Sequence, residues 1–498
     1  MTVPESRIRD LNGGARRPSG NFVLYWMTAT RRLGWNFALD RALEHARALD
    51  RPLVILEPLN VDYPWASDRH HLAVIDGMGE HELALATTPV AYHPYVEPEP
   101  GAGKGLLEAL AGDACAIVTD DSPVFFTPGL MKAAGRLRGC TVEAVDSCGL
   151  LPLAAADRTF TAAYHLRRFL HKELPGHLGD RPAADPLAGL DLPVATVPGD
   201  VVSRWPRASS ALLGRVERPS QAEMVAQLAS LPIDHSVGPT GWRGGHAEAR
   251  ARLESFLSDG LDRYADERNQ PDSGVASGLS GWLHYGHISS HEIFDAVTRR
   301  EGWSPARVSP PHDGRRSGWW GMSAASEAFV DQFVTWRELG YLYCAREPAF
   351  DRYDTLPQWV LDTFAVHASD AREHVYTLKE FDRAETHDEI WNAAQRQLVG
   401  EGVIHNYLRM LWGKKILEWS PHPRDALRTM IELNNRYAID GRDPNSYSGI
   451  MWVLGRFDRG WPERAVYGKV RSMSSDSTRR KVRLGRYLER WGPQRRLL

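Results

Sequence analysis

Short apolar runs alternate with amphipathic stretches over the first third of the chain. The runs at 21–27 (NFVLYWM), 52–59 (PLVILEPL), 89–95, 114–119 and 142–145 are almost continuously apolar, the pattern of strands buried on both faces. Between them, at 35–49, 71–86, 106–110 and 130–137, apolar residues recur at helical spacing. This alternation predicts an α/β domain over 1–184 built on a doubly wound parallel sheet. The pattern then weakens. Over 185–245 Pro, Gly and Ser recur, as in ADPLAGLDLPVATVPGD and RASSALLGRVERPS, and the stretch reads as an interdomain connector with one helix near 221–231. From 246 to 498 the periodicity is helical, with candidate helices at 247–266, 287–300, 324–346, 388–418 and 422–437. A segment rich in Pro, Gly, Arg and Trp, 303–322, interrupts them with SPPHDGRRSGWWG.

Composition narrows the class. A chain of 498 residues is long enough for two large domains, and its formal net charge of −3 gives no global preference for nucleic acid. The distribution of charge does: from 456 to 498 there are 13 Lys or Arg against 4 Asp or Glu, the balance that phosphate contact needs. A solvated basic tail would look the same. The four cysteines show no CxxC pair or Cys/His ligand spacing, so neither a zinc site nor an iron–sulfur cluster is expected. Free thiols suit a reducing compartment. No apolar run is long enough to span a bilayer and the N-terminus has no signal-peptide pattern, so a cytoplasmic protein without membrane contact is expected. Of 17 tryptophans, 12 lie from Trp282 onward, which sets the helical part apart from the rest.

The chemistry concentrates between 386 and 445. Trp391, Trp412 and Trp419 recur there, the last two spaced by two helical turns on one face. Tryptophan is readily oxidised, so a file of such rings leading to a buried redox group can carry single electrons. The same rings equally describe an aromatic helical core. Asn406, Arg409 and Asp440 lie among them with little other reason to be buried. No GxGxxG follows the first strand, so ordinary dinucleotide binding is not supported for the α/β part.

The phrases WNAAQ (391–395), HNYLRM (405–410), KKILEW (414–419), LN (433–434), DGRDPN (440–445) and GKVR (468–471), with YWM at 25–27, resemble the cryptochrome/photolyase family, and within it the class II cyclobutane pyrimidine dimer photolyases. The resemblance is scattered along nearly the whole chain. It implies an antenna-type α/β domain followed by an all-helical FAD-binding domain, a second antenna chromophore (a deazaflavin or a folate), and a monomer acting on damaged double-stranded DNA. It also implies roles for particular residues. Ser277, Gly278, Leu279 and Ser280 match the phosphate-binding loop, with Gly281 where the family usually has proline, and Tyr264 matches a phosphate-contacting tyrosine. Arg409 and Asp440 match an ion pair beside the isoalloxazine ring, with Asn406 supporting the cofactor. Asn434 matches an amide placed near flavin N5, where it can donate or accept a hydrogen bond. In the tryptophan file Trp412 stands nearest the flavin, Trp391 follows, and Trp419 lies at the surface.

On the substrate side, chemistry on a base within a duplex requires taking it out of the stack, for which photolyases are a standard example. Trp336, Met410, Trp452 and Trp461 are similar to the family's dimer-contacting residues, and Arg459 and Arg471 to the arginines that stabilise the opened duplex. Two positions depart from the pattern. Gln332 stands where a glutamate usually precedes the Arg337-Glu338 dipeptide; Gln hydrogen-bonds but cannot transfer a proton. Phe457 stands where class II enzymes commonly have histidine. The expected activity is light-driven repair of cyclobutane pyrimidine dimers by electron transfer from photoexcited reduced FAD. The alternatives are a photolyase-like flavoprotein without dimer repair, acting as a light sensor or on another substrate, which Gln332 suggests, and a non-flavin α/β nucleotide-binding protein fused to a helical scaffold.

Overall fold

A six-stranded sheet organises the N-terminal part. In the computed structural model, which describes residues 2–214 and 218–493, the strands are β1 (Ile8–Asp10), β2 (Phe22–Trp26), β3 (Leu53–Leu59), β4 (Ala91–Val96), β5 (Ala114–Asp120) and β6 (Thr141–Val145), in the order β1-β6-β5-β2-β3-β4. All neighbours are parallel except β1, which runs antiparallel to β6 at the edge. The fully parallel sheet expected from sequence is corrected at that edge, where the three residues of β1 are too few and too exposed to leave an apolar run.

Alternation along β2 explains why both faces are covered. Phe22, Leu24 and Trp26 pack into one core and Val23, Tyr25 and Met27 into another, because successive side chains point to opposite faces. The helices α1 (Phe37–Leu49) and α2 (Asp68–Leu85) contribute to the second core, and α3 (Leu106–Asp113) and α4 (Thr127–Ala134) to the first. Asn36 starts α1 by accepting the Ala38 and Leu39 amides, an N-cap that fixes where the chain leaves the sheet.

The strand order reverses between β2 and β5, the switch point where doubly wound sheets bind anions. Here the protein fills that place itself. One Asp120 carboxylate oxygen, at the end of β5, accepts the three successive amides of Thr28, Ala29 and Thr30 at 2.7, 2.7 and 2.9 Å, and its other oxygen accepts the Tyr25 hydroxyl at 2.8 Å. Burial and the adjacent carboxylate push the Tyr25 phenol well above its ordinary range. Three consecutive donors converging on one anion form a nest. Asp120→Ala would orphan all of them. We expect a loss of roughly 3 kcal/mol or more in urea unfolding; a loss below about 0.5 kcal/mol would mean that water replaces the carboxylate.

The described residues form two compact units that do not follow chain order. The first comprises Met1–Ala156, Gly176–Arg252 and Leu279–Arg299; the second comprises Asp157–Pro175, Leu253–Gly278 and Arg300–Leu498. The stretch 185–245, read from sequence as a connector, falls within the first unit. Its described part carries α6 (Gly199–Arg204), α7 (Ser210–Leu213) and α8 (Gln221–Leu228), numbered after α5 (Ala163–Glu173); residues 215–217 of that stretch lie outside the described residues. The second unit is helical. From the chain's passage between the units onward come α9 (His246–Ser255), α10 (Tyr264–Glu267), α11 (Ser280–His284), α12 (Ser290–Arg300), α13 (Ala324–Val330), α14 (Arg337–Arg346), α15 (Gln358–Val366), α16 (Leu378–Asp382), α17 (Glu389–Glu401), α18 (Asn406–Trp419), α19 (Pro423–Tyr437) and α20 (Pro444–Val453). Of these, most of α9, all of α11 and nearly all of α12 belong to the first unit.

Three expected helices are broken, among them 247–266, which passes through a π-turn at Phe256–Gly260 and a 3-10 turn at Leu261–Arg263 between α9 and α10. The segment 388–418 divides at Gly402, which ends α17 at φ +70° and sits where an added Cβ would meet the Ile439 side chain at 2.7 Å; glycine satisfies both constraints. Between α13 and α14 the helix widens into a π-turn over Asp331–Trp336, a form that often marks a functional site.

Segment 303–322 packs within the second unit. Trp319 is buried and stacks on His171 of α5 with centroids 4.2 Å apart. The Gly321 amide donates to Glu327 of α13 at 3.0 Å, and the Gly318 amide donates to the same carboxylate. Helix α5 also carries Arg167, whose guanidinium pairs with Asp331 at 2.6 Å, both side chains buried. Segment 303–322 thus contacts both α5 and α13, and α5 contacts the π-turn that follows α13.

Candidate flavin site and aromatic wall

The tryptophan file is built by two adjacent helices. Asp388 caps α17 by accepting the Trp391 amide at 2.9 Å, which fixes that residue in the first turn. The Trp391 indole N–H donates to the Trp412 carbonyl on α18 at 3.0 Å, and the Trp412 indole N–H donates to Gln395 of α17 at 2.9 Å. Trp391 and Trp419 lie with centroids 6.1 Å apart. All three rings are buried, with exposures of 0, 2 and 3% for Trp391, Trp412 and Trp419.

The surface position expected for Trp419 is therefore corrected. Tyr376 and His387 cover its ring at 5.7 and 4.9 Å, and the Lys415 ammonium lies 5.1 Å from its centroid while pairing with Glu418 at 2.6 Å. The Tyr376 hydroxyl also bonds the His387 ring at 2.7 Å. Burial, with His374 adding repulsion, holds His387 below its ordinary range, so it is a neutral base at physiological pH. Tyr376 and His387 come from the segments before and after α16, and no helical spacing announces them.

Polar candidates gather on α18, α19 and the turn after α19. Arg409 and Asp440 form a two-bond pair at 2.9 and 3.2 Å, and the Ser446 hydroxyl holds the Asp440 carbonyl at 2.7 Å. Asn434 is buried near the end of α19, its amide donating to Asn435 at 3.2 Å; Asn435 in turn accepts the Arg442 amide and donates to the Tyr447 hydroxyl. Asn406, the first residue of α18, is exposed. This donor set fits the edge of a flavin ring, which alternates hydrogen-bond donors and acceptors: an amide, a guanidinium and a carboxylate lie on neighbouring elements of one unit.

Tyr264 is buried between Phe256 and Phe329, with centroids at 5.7 and 5.5 Å, and Arg268 lies 5.8 Å from its ring. Burial raises the phenol, with Arg268 opposing. Arg268 drew no attention in the sequence, although its spacing of four from Tyr264 on a helix offers a signal. Gly278 has φ +68°, which supports a loop of close backbone approach. Ser277 and Gly278 belong to the second unit and Leu279 and Ser280 to the first; Leu279 is buried, and Ser280 opens the short helix α11.

The substrate-side residues fall into two groups. Gln332 and Trp336 lie half-buried in the π-turn. Asp331, the neighbour of Gln332, is buried and meets Arg167 at 2.6 Å. Elsewhere in the unit Trp452, Trp461, Arg459 and Arg471 come together. Arg471 lies over both rings, 5.4 Å from Trp452 and 4.3 Å from Trp461, and Arg459 lies 5.5 Å from Trp461. Asp458 pairs with Arg471 at 2.9 Å. Met410 is half-buried on α18. Phe457 packs edge-on against Tyr343 at 5.3 Å and is buried at φ +67°, a conformation bulky residues seldom adopt. The final arginines of the basic stretch, Arg495 and Arg496, lie outside the described residues.

No family model matches the chain. Curated relatives do. It is 30% identical over 497 residues to a deoxyribodipyrimidine photo-lyase of Methanothermobacter thermautotrophicus, with 98% of each chain covered. The chain belongs to the photolyase family. A deoxyribodipyrimidine photo-lyase of Oryza sativa subsp. japonica is 32% identical over 97% of this chain and 90% of its own length, and one from Potorous tridactylus is 30% identical over 94% and 81%. Among solved structures, a bacterial class III photolyase from Agrobacterium tumefaciens superposes with a TM-score of 0.65 at 18% identity, covering 95% of this chain and 86% of that one, which supports the shared α/β-plus-helical fold. Membership of the photolyase family implies a flavin cofactor. Among the described residues no helix is long and apolar enough to cross a membrane, and no cluster of three or more His, Cys, Asp or Glu is placed to hold a metal ion.

Proposed function

We propose that this photolyase-family chain is a class II type enzyme that repairs cyclobutane pyrimidine dimers in double-stranded DNA. Arg409, Asp440, Asn434 and Asn406 would hold the isoalloxazine part of FAD, with Tyr264 and the Ser277–Ser280 stretch toward its phosphates. Bound there in reduced form, FAD supplies the single electron that light delivers to the dimer and that returns once the cyclobutane ring has opened, so the reaction has no net redox change. The chain's own residues orient and exclude. Trp452 and Trp461 offer aromatic faces to an extruded dimer, each face worth roughly 1–3 kcal/mol of stacking. Arg471 and Arg459 bring positive charge to the same wall, and Gln332 and Trp336 complete the contacts.

The observation that carries this reading is the aromatic–cationic wall of Trp452, Trp461, Arg459 and Arg471, built in the same unit as the tryptophan file. The file serves a sensor equally well, whereas the wall has the chemistry of a base-stacking surface beside phosphates. Gln332 favours the second reading, a photolyase-like flavoprotein acting on another substrate or as a sensor. The test is recovery of thymine absorbance from an oligonucleotide with one cyclobutane dimer, under blue light against a dark control. We expect light-dependent recovery, and a rise of roughly threefold or more in repair per absorbed photon for Gln332→Glu, which restores an ionisable hydrogen-bonding group. No recovery by either protein, from a flavin that does photoreduce, would turn the reading to the sensor.

A further inference from the structure

Lys414 is a buried charge that the proposed chemistry leaves unused. It lies two residues beyond Trp412 on α18 with no exposed surface. Its ammonium donates to the carbonyl of Val453, the last residue of α20, at 2.5 Å and lies 5.0 Å from the ring centroid of the preceding residue, Trp452. One side chain therefore grips two consecutive residues at the end of one helix. The charged groups facing it come from the segment after α20: Asp458 attracts the ammonium and Arg471 repels it. Tyr467 donates to the Lys414 carbonyl at 2.9 Å and also meets Glu418 of α18 at 3.3 Å.

A fully buried ammonium with one carbonyl acceptor is expensive, and an apolar residue of the same length would pack there at less cost. Capping the C-terminal carbonyls of α20 accounts for part of its retention, because cations are favoured at that end of a helix. It does not account for the ring. Trp452 is half-buried, with Arg471 also 5.4 Å from its ring, so the indole keeps exposed surface while the ammonium holds it from within.

We propose that Lys414 is a positioning residue for Trp452, holding the indole in the orientation that receives an extruded pyrimidine dimer, so that preference for dimer-bearing DNA depends on the charge of Lys414. This rests on the reading of Trp452 as part of the dimer wall. Burial pulls the ammonium down from its ordinary range to about 7, with the Asp458 attraction opposing and the Arg471 repulsion adding. The lysine is therefore charged below that pH and neutral above it. The cation–π hold on Trp452 weakens as the pH rises through about 7.

The test uses flavin-loaded protein and a labelled duplex with or without one thymine cyclobutane dimer, titrated between about pH 6 and pH 9. Parent, Lys414→Met, Trp452→Phe and the double variant are compared. The parent's preference for the dimer should fall roughly five- to tenfold across this range. Lys414→Met should hold a weak, pH-independent preference, and should add nothing to Trp452→Phe. A Lys414→Met protein that binds like the parent throughout, or that weakens Trp452→Phe as much as it weakens the parent, would overturn the proposal and leave Lys414 as a helix cap. If Trp452→Phe binds like the parent, the wall reading itself fails, whatever Lys414 does. Should Lys414→Met not retain flavin, the pH profile of Trp452→Phe decides: a flat profile supports the proposal and a surviving step overturns it.

Discussion

Trp412→Phe slows light-driven reduction of the bound flavin by at least about a hundredfold, equivalent to raising the barrier of the limiting step by about 3 kcal/mol. The three rings are buried in the chain's interior, with Trp391 and Trp419 edge-on at a centroid separation of 6.1 Å. The backbone of Trp412 is also the acceptor for the indole of Trp391. Phenylalanine preserves the shape of the core but is far harder to oxidise, so the path loses a carrier and keeps its packing. The structural side effect is small: Gln395 loses the indole N–H at 2.9 Å, a neutral hydrogen bond worth about 1 kcal/mol. Bleaching of the oxidised flavin band under blue light in a thiol buffer is the measurement. A rate equal to the parent's would take Trp412 off the path and leave the three rings as core.

The second large effect is expected at Asp440. Its carboxylate takes two bonds from Arg409, and the guanidinium is about one-quarter exposed. Asp440→Ala leaves that cation without its partner on an apolar helix, at a cost of roughly 2–4 kcal/mol for a partly buried pair, and removes a group proposed to border the flavin. Flavin content after purification should fall to less than about a tenth of the parent's. Asp440→Asn, which keeps an acceptor but no charge, should lie between. Full flavin content in the alanine variant would make the pair purely structural.

Much of the first unit was legible because its strands are buried on both faces: 21–27 and 52–59 announce β2 and β3 through their apolar runs alone. β1 was not, since an edge strand of three residues, two of them exposed, leaves no such trace. The spacing of Trp391, Trp412 and Trp419 could be read from the sequence, but the burial of Trp419 could not, because it depends on Tyr376 and His387 on either side of α16. The role of Asp331 was likewise hidden, its partner Arg167 being 164 positions away. Gly402 is a sign in the sequence that 388–418 is two helices, yet glycine inside a periodic stretch is often tolerated. The segment 303–322, rich in Pro and Gly, carries no periodicity that announces its packing; Trp319 docks on α5 and its glycine amides on Glu327.

The carboxylate of Asp120 has a wider meaning for how the molecule chooses what it carries. At the crest of the sheet, where related architectures recruit a nucleotide, an internal anion is already seated on three amides and a phenol. A nucleotide phosphate would have to displace that carboxylate to reach the same three amides.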